Sequence, residues 1–361
     1  MKLGILRETA ENEPRVALVP DVMKQICALG IECIAEQNAG QRAGYSDQSY
    51  LDAGASISPN VLAEADIIVK VNCPDEQQIA AMKSGAILIA PINGWKNAKE
   101  VELLNSRGIK TFALELIPRI SRAQNMDILS SMASVAGYKA VLIAANSSAK
   151  FFPMMMTAAG TVAPSKVLVI GAGVAGLQAI ATARRLGAIV EAFDVRPAVK
   201  EEVQSLGAKF IDIDLGETDT QTAGGYAKEL SADARQRQQN ALAKHIAMAD
   251  AVISTAAIPG KAAPRIITPA MVESMKSGSV IVDLAAETGG NCELTRAGEV
   301  QNINGVTIIG PINLAAQLPV HASAMFSKNV LNFLKLFVKK EGFTLHFDDE
   351  ILVATCVAGR G

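Results

Sequence analysis

One stretch, from Lys166 to Arg196, constrains this chain more than any other. It reads KVLVIGAGVAGLQAIATARRLGAIVEAFDVR. Residues 167–170 are a short, β-branched apolar run, as expected of a strand buried on both faces. Gly171-Ala172-Gly173-Val174-Ala175-Gly176 follows at once. Leu177, Ala181 and Leu186 then recur near helical spacing, and Gly187 suits a helix C-terminus. A second β-rich run over 189–193 ends in Asp194. Strand, glycine turn, helix, strand and acid in this order form a dinucleotide-binding unit. In such a unit Gly171 permits the tight turn, Gly173 lets backbone approach a pyrophosphate, and Gly176 lets the helix pack close to the sheet. The helix start presents N–H groups and a positive dipole end to phosphate. Asp194 suits a ribose 2′-OH and so favours NAD(H) over NADP(H). Arg196, two residues on, could meet a 2′-phosphate, but the acid at the strand tip argues for NAD(H).

The rest of the composition fits an α/β protein. The 361 residues suggest about two domains. Half are hydrophobic and only 4% aromatic, so the core is aliphatic, as buried parallel strands require. A formal charge of −2 gives no reason to expect a nucleic-acid partner. The five cysteines are scattered without a CxxC pair and read as reduced thiols. The three histidines show no metal-ligand spacing, so no metal site is expected. The N-terminal MKLGILRE lacks the apolar segment of a signal peptide, and no run reaches the roughly 18 uncharged apolar residues of a membrane span. The expectation is a soluble, cytoplasmic chain.

Residues 1–116 alternate in the same way. Strands are expected at 3–6, 32–35, 67–71, 86–92 and 111–116, with helices at 20–29, 75–82 and 98–106. This second doubly wound unit has no GxGxxG. Arg15 could bind an anion, but reads more readily as a solvated loop arginine. Lys70, inside the apolar IIVKVN, either snorkels at the strand end or points into a cleft. Residues 118–131 place polar and charged groups in a connection longer than an ordinary turn, where Arg119 and Asp127 could pair. A helix is expected over 133–149. Phe151-Phe152-Pro153-Met154-Met155-Met156 reads as an apolar hinge with methionine as core filler. Beyond Asp194, strands are expected at 209–213, 251–254 and 280–283, with 306–309 closing the sheet. Residues 216–240 read as a mobile lid or solvated loop-helix around Gly224-Gly225-Tyr226. An amphipathic helix over 323–338 should pack back on the first domain. The fold class is therefore two doubly wound Rossmann-like domains, the second inserted into the first. The expected boundaries are 1–129 with 320–361, and 130–319.

Nearly the whole chain resembles the NAD(H)-binding domain of the proton-translocating NAD(P) transhydrogenases. The segments that carry this are RETAENEPRVALVP, PRISRAQNMDILSS, GAGVAGLQAIATARRLGA, DVRPAVKEEVQSLGA, GGYAKE, STAAIPGKAAP and VDLAAETGGN. The resemblance implies that Arg119 and Asp127 interact and help place the nicotinamide ring. It implies that Gln124 bridges toward the partner's NADP(H) and that Ser130 meets the carboxamide. Ile120, Ser121, Asn125 and Met126 would line the cofactor from the same loop. Gly171, Gly173, Val174, Ala175, Gly176, Asp194, Val195 and Arg196 would hold its pyrophosphate and ribose. Tyr226 would close over the nucleotide, bordered by Gly225, Gln238 and Ala257. Also implied are a homodimer, an NADP(H)-binding subunit and a membrane-spanning component, which would make the chain peripheral to the inner or plasma membrane.

The fold is shared with alanine dehydrogenase, whose carboxylate-binding pair matches Arg15 and Lys70. That enzyme's histidine acid/base is replaced here by Ala90-Pro91-Ile92-Asn93-Gly94-Trp95. Its aspartate has Glu287 as the nearest acid. An amino-acid dehydrogenase moves a proton as well as a hydride, whereas transhydrogenation moves only hydride between two nicotinamides.

Overall fold

A computed structural model describes residues 1–216, 227–258, 261–339 and 342–359. The chain divides into two compact units, Met1–Met132 with Ala315–Gly361, and Ala133–Leu314. Each is built on a mostly parallel sheet of seven strands.

The sheet of the first unit runs Cys356–Ala358, Lys110–Ala113, Ile87–Ala90, Ile67–Val69, Lys2–Ile5, Glu32–Ala35 and Ser56–Ile57. Only Cys356–Ala358 is antiparallel, pairing with Lys110–Ala113. Its strands read as unbroken apolar runs because helices cover both faces; Ile67, Ile68 and Val69 are wholly buried. The expected 111–116 strand stops at Ala113, and Leu114–Leu116 turns into a 3₁₀ helix.

The returning C-terminal segment is held by the aromatic side chains that composition made scarce. Phe112 on the sheet meets Phe333 edge-on at 5.5 Å and stacks with Phe337 at 5.9 Å. Helix Pro319–Leu334 also binds the segment before the first helix. Ser323 Oγ accepts from Val16 N at 3.0 Å, and Ser327 Oγ from Val19 N at 2.9 Å.

The second unit orders its strands Lys209–Phe210, Ile189–Phe193, Lys166–Ile170, Ala251–Ser254, Val280–Asp283, Val306–Ile309 and Val300–Ile303. The strand order reverses between Lys166–Ile170 and Ala251–Ser254, and in a doubly wound sheet the ligand crevice opens at that switch point. Val306–Ile309 does not close this sheet; Val300–Ile303 lies outside it, antiparallel. Two reverse-turn residues with positive φ, Asn304 and Gly305, join this pair, so a hairpin adds the edge.

Helix Ile128–Ser147 begins earlier than the residue-133 start expected from sequence. By length and composition it is the one helix among the described residues that could cross a bilayer. Its Ala140, Val141 and Ala144 are buried in the core of the second unit. Gly137 on the same helix lies so close to the start of helix Val174–Arg185 that a Cβ there would sit 2.1 Å from the carbonyl oxygen of Ala175.

The expectation for the methionines is corrected here. Met154 and Met156 are not core filler: they are 57% and 76% exposed, beside or in a separate two-stranded hairpin, Met155–Thr157 with Gly160–Val162. Of the expected lid, residues 217–226 lie outside the described residues. Ala232–Met248 is a helix capped by Ser231, whose Oγ accepts from Ala234 N at 3.2 Å.

Gly137→Ala tests the helix contact. The obstacle is backbone, so the helices must part, and overpacking of this kind costs about 1–3 kcal/mol. The variant should melt at a lower temperature; an unshifted melting curve would show that the two helices separate at no cost.

Candidate functional site

In the second unit the glycine turn follows strand Lys166–Ile170. Gly171 takes φ +95°, and a Cβ on it would stand 2.7 Å from Thr255 Oγ1. A Cβ on Gly176 would lie 1.8 Å from the Gly171 carbonyl oxygen. Both must be glycine for internal reasons, one for conformation and contact, the other for contact. Gly173 differs. Its backbone is extended (φ −76°, ψ −169°), and a Cβ there would meet nothing within 4 Å. Its missing side chain therefore opens space on the outer face of the turn. Gly173 is also the N-cap of helix Val174–Arg185, and no side chain caps that end. Open space before uncapped N–H groups fits a phosphate.

Asp194, 8% exposed, stands at the tip of the neighbouring strand. One carboxylate oxygen accepts from Ala172 N at 2.7 Å and from Arg196 Nη2 at 2.8 Å. The other accepts from Arg196 N at 2.9 Å and Nε at 2.8 Å. Arg196 thus turns onto the acid. Val195 is half-buried beside them, Gln238 is buried on helix Ala232–Met248, and Ala257 is exposed after strand Ala251–Ser254. Gly225 and Tyr226 lie outside the described residues.

Two residues that shape this turn lie in segments that carried the resemblance but were given no role from sequence. Thr255 Oγ1 donates to the Gly171 carbonyl at 3.0 Å. Asn291, wholly buried, accepts from Ala256 N at 3.0 Å and donates to Ala256 O at 2.8 Å and Pro264 O at 2.9 Å. It ties down the segment that contains Ala257. It directly follows the pair Gly289-Gly290, both of which the structure places at positive φ.

In the first unit residues 121–126 form the 3₁₀ helix Ser121–Met126. Ala123 and Met126 are buried, while Arg119, Ser121, Gln124 and Asn125 are exposed and Ile120 is half-buried. Asp127 caps helix Ile128–Ser147. Its carboxylate accepts from Ser130 N at 2.9 Å and from Ser130 Oγ at 2.6 Å. The structure thus joins Asp127 to Ser130, and no Asp127–Arg119 ion pair occurs among the described residues. Arg122 donates to both carboxylate oxygens of Asp349, at 2.7 and 3.0 Å, and to Glu350 at 3.4 Å. The hydrogen bond from Arg122 is the main cause holding the Asp349 carboxyl below its ordinary range.

Arg15 is placed otherwise than expected, and one of the two placements expected for Lys70 is excluded. Arg15 is not a solvated loop residue: it is 9% exposed, and its guanidinium pairs with Glu13 and approaches Met132 Sδ at 3.2 Å. Lys70 does not snorkel; it is 1% exposed, with its Nζ 3.1 Å from Glu8 Oε2. The other Glu8 oxygen accepts from Val71 N at 2.7 Å. The expected histidine position of an amino-acid dehydrogenase is a turn at Asn93 (φ +49°), whose N–H donates to Glu115. Among the described residues the cysteines are free and no metal-ligating cluster occurs.

The family described as alanine dehydrogenase/PNT matches with its N-terminal domain over residues 4–136 and its C-terminal domain over 140–361. The chain belongs to this family. A Rhodospirillum rubrum protein named as the first portion of NAD(P) transhydrogenase subunit alpha is 48% identical over 372 residues, covering 100% of this chain and 97% of that protein. A crystal structure of transhydrogenase from Sinorhizobium meliloti superposes with a TM-score of 0.91 at 44% identity, covering 99% of this chain and 98% of that one. Alanine dehydrogenase 2 of Staphylococcus aureus is 30% identical over 300 residues, covering 82% of this chain and 74% of that protein.

Asp127→Ala should lower the melting temperature, because losing an N-cap costs about 1 kcal/mol. Asp127→Asn, which still caps, should recover most of the loss. Equal melting temperatures for all three proteins would show that the cap contributes nothing.

Proposed function

We propose that this chain is the NAD(H)-binding subunit of a proton-translocating NAD(P) transhydrogenase. The observation that carries this reading is the 48% identity, along the whole chain, to a protein named as an alpha subunit of that enzyme. Likeness to an alanine dehydrogenase is lower and shorter, at 30% over 82% of the chain. The turn at Asn93 supplies no imidazole to move a proton, which transhydrogenation does not require.

Each group then has a task. The turn Gly171, Gly173, Val174, Ala175 and Gly176 holds the pyrophosphate through backbone N–H groups and the helix dipole. Asp194, beside Val195 and with Arg196 folded onto it, takes the adenosine ribose and selects NAD(H). Gly225, Tyr226, Gln238 and Ala257 border the nucleotide. Arg119, Ile120, Ser121, Gln124, Asn125, Met126, Asp127 and Ser130 serve the nicotinamide end. The bound nicotinamide carries the hydride; the residues of this chain orient it and exclude water. Hydride passes to NADP⁺ on a separate subunit, and a membrane component couples the exchange to proton passage at the cytoplasmic side. The chain works as a homodimer. The exposed Met154, Met156 and Val162 around the two-stranded hairpin support this, as surfaces a partner copy would cover. Light scattering should therefore give twice the chain mass at micromolar concentration; a monomer would refute the dimer.

NADH should bind more tightly than NADPH in a fluorescence titration. Asp194→Ala should weaken NADH by about 1–3 kcal/mol, the scale of a hydrogen bond to a charged group. Equal affinity for the two nucleotides would remove Asp194 from its selecting role.

Mixing the chain with the NADP(H)-binding domain of a transhydrogenase tests the whole reading. NADH should reduce an NADP⁺ analogue in the mixture, and NADH with pyruvate and ammonia should remain unoxidised. Gln124→Ala should bind NADH within about tenfold of wild type yet transfer hydride about a hundredfold more slowly, as small misplacements of reacting groups do. Transfer at the wild-type rate would make the loop scaffold.

A further inference from the structure

We propose that Asn329 and Asn332 are positioning residues for hydride transfer, which hold the backbone of the Ser121–Met126 loop so that Gln124 is correctly placed. This inference rests on the transhydrogenase reading above.

The two asparagines lie three residues apart on helix Pro319–Leu334, hence on one face. Both side chains converge on a single atom, the carbonyl oxygen of Asn125. Asn329 Nδ2 donates to it at 2.8 Å and Asn332 Nδ2 at 3.2 Å. Two donors use both lone pairs of that carbonyl. Asn329 is only 6% exposed, among the buried Val330, Leu331, Phe333 and Leu334 of its own helix. Its Oδ1 is buried with no partner. An amide in such surroundings is costly, and leaving one of its atoms unpaired costs more. An apolar residue would pack at that site without this cost. What the amide contributes is the bond to Asn125.

That bond falls where the loop needs it. A 3₁₀ turn has poor internal hydrogen-bond geometry and does not fix itself. Here it is fixed from outside at several points around Gln124. Ala123 and Met126 enter the core, Arg122 is clamped by Asp349, and Asn125 is bound by the asparagine pair. Gln124 projects from between these anchors, exposed. If Gln124 works on the reacting nicotinamides, a shift of its backbone by about 1 Å is enough to cost about a hundredfold in rate.

The test uses Asn329→Leu, which replaces the amide by an apolar group of similar size, and Asn332→Ala, at a half-buried site on the same helix. Each is mixed with the NADP(H)-binding domain, and NADH affinity, melting temperature and single-turnover hydride transfer are measured together. The expected result is unchanged NADH affinity, an unchanged or raised melting temperature, transfer slowed by about tenfold to a hundredfold, and faster hydrogen exchange of the amides at 124–127. A purely structural role would lower melting temperature and affinity along with the rate, and that pattern overturns the proposal. So does wild-type transfer in both variants while the wild-type chain is active. A wild-type chain that exchanges no hydride with the partner domain overturns the transhydrogenase reading itself, and the inference with it.

Discussion

The second unit depends on a contact between backbones at the glycine turn. Gly176 brings a helix within carbon–oxygen contact of Gly171, and Gly137 brings a second helix against Ala175 one residue away. Neither contact tolerates a methyl group. Their joint effect is to fix the first turn of helix Val174–Arg185 from two sides, which fixes the direction of its N–H groups. The phosphate site proposed here is made of backbone and has no side chain to adjust, so its precision would come from packing around it. Gly173 completes the arrangement by the opposite property, the open space where its Cβ would be.

Polar side chains buried next to loops recur in both units and do related work. Asn291 binds both backbone groups of Ala256, as a neighbouring strand would, and extends order past the end of strand Ala251–Ser254. Thr255 joins that segment to Gly171. In the first unit Ser323 and Ser327 bind the chain at Val16 and Val19, and Asn329 binds Asn125. Each supplies a partner to backbone that lies outside any ladder, where an unpaired group would be expensive. The loops of this protein are therefore ordered by single side chains from helices and strand ends.

The pairing of Asp127 shows how a residue proposed for the nicotinamide end also serves stability. As a cap it satisfies an N–H at the start of helix Ile128–Ser147, and it also holds Ser130. The exposed side chain of its neighbour Gln124 makes no such capping bond among the described residues, so the two carry different information when altered.

Much of this was legible in the sequence because it rests on local rules. Period and β-branching marked strands Ala251–Ser254 and Val280–Asp283 to the residue, and helix Ala98–Ser106 likewise. The glycine spacing and Asp194 marked the turn, since only glycine satisfies those contacts and the acid falls at a fixed distance along the unit. What the sequence did not determine depends on residues far apart in the chain. Nothing local separates a methionine in a core from Met156 on an exposed hairpin, or a solvated Arg15 from one buried against Glu13 and Met132. Asn291 and Asn329 read as ordinary polar residues until folding sets them against Ala256 and Asn125. The edge strand Val300–Ile303, partly exposed, has too weak an apolar pattern to announce itself. Periodicity records which face of an element is buried. Which polar group meets which backbone atom is decided by tertiary packing, since the partners lie 35 and 204 residues apart.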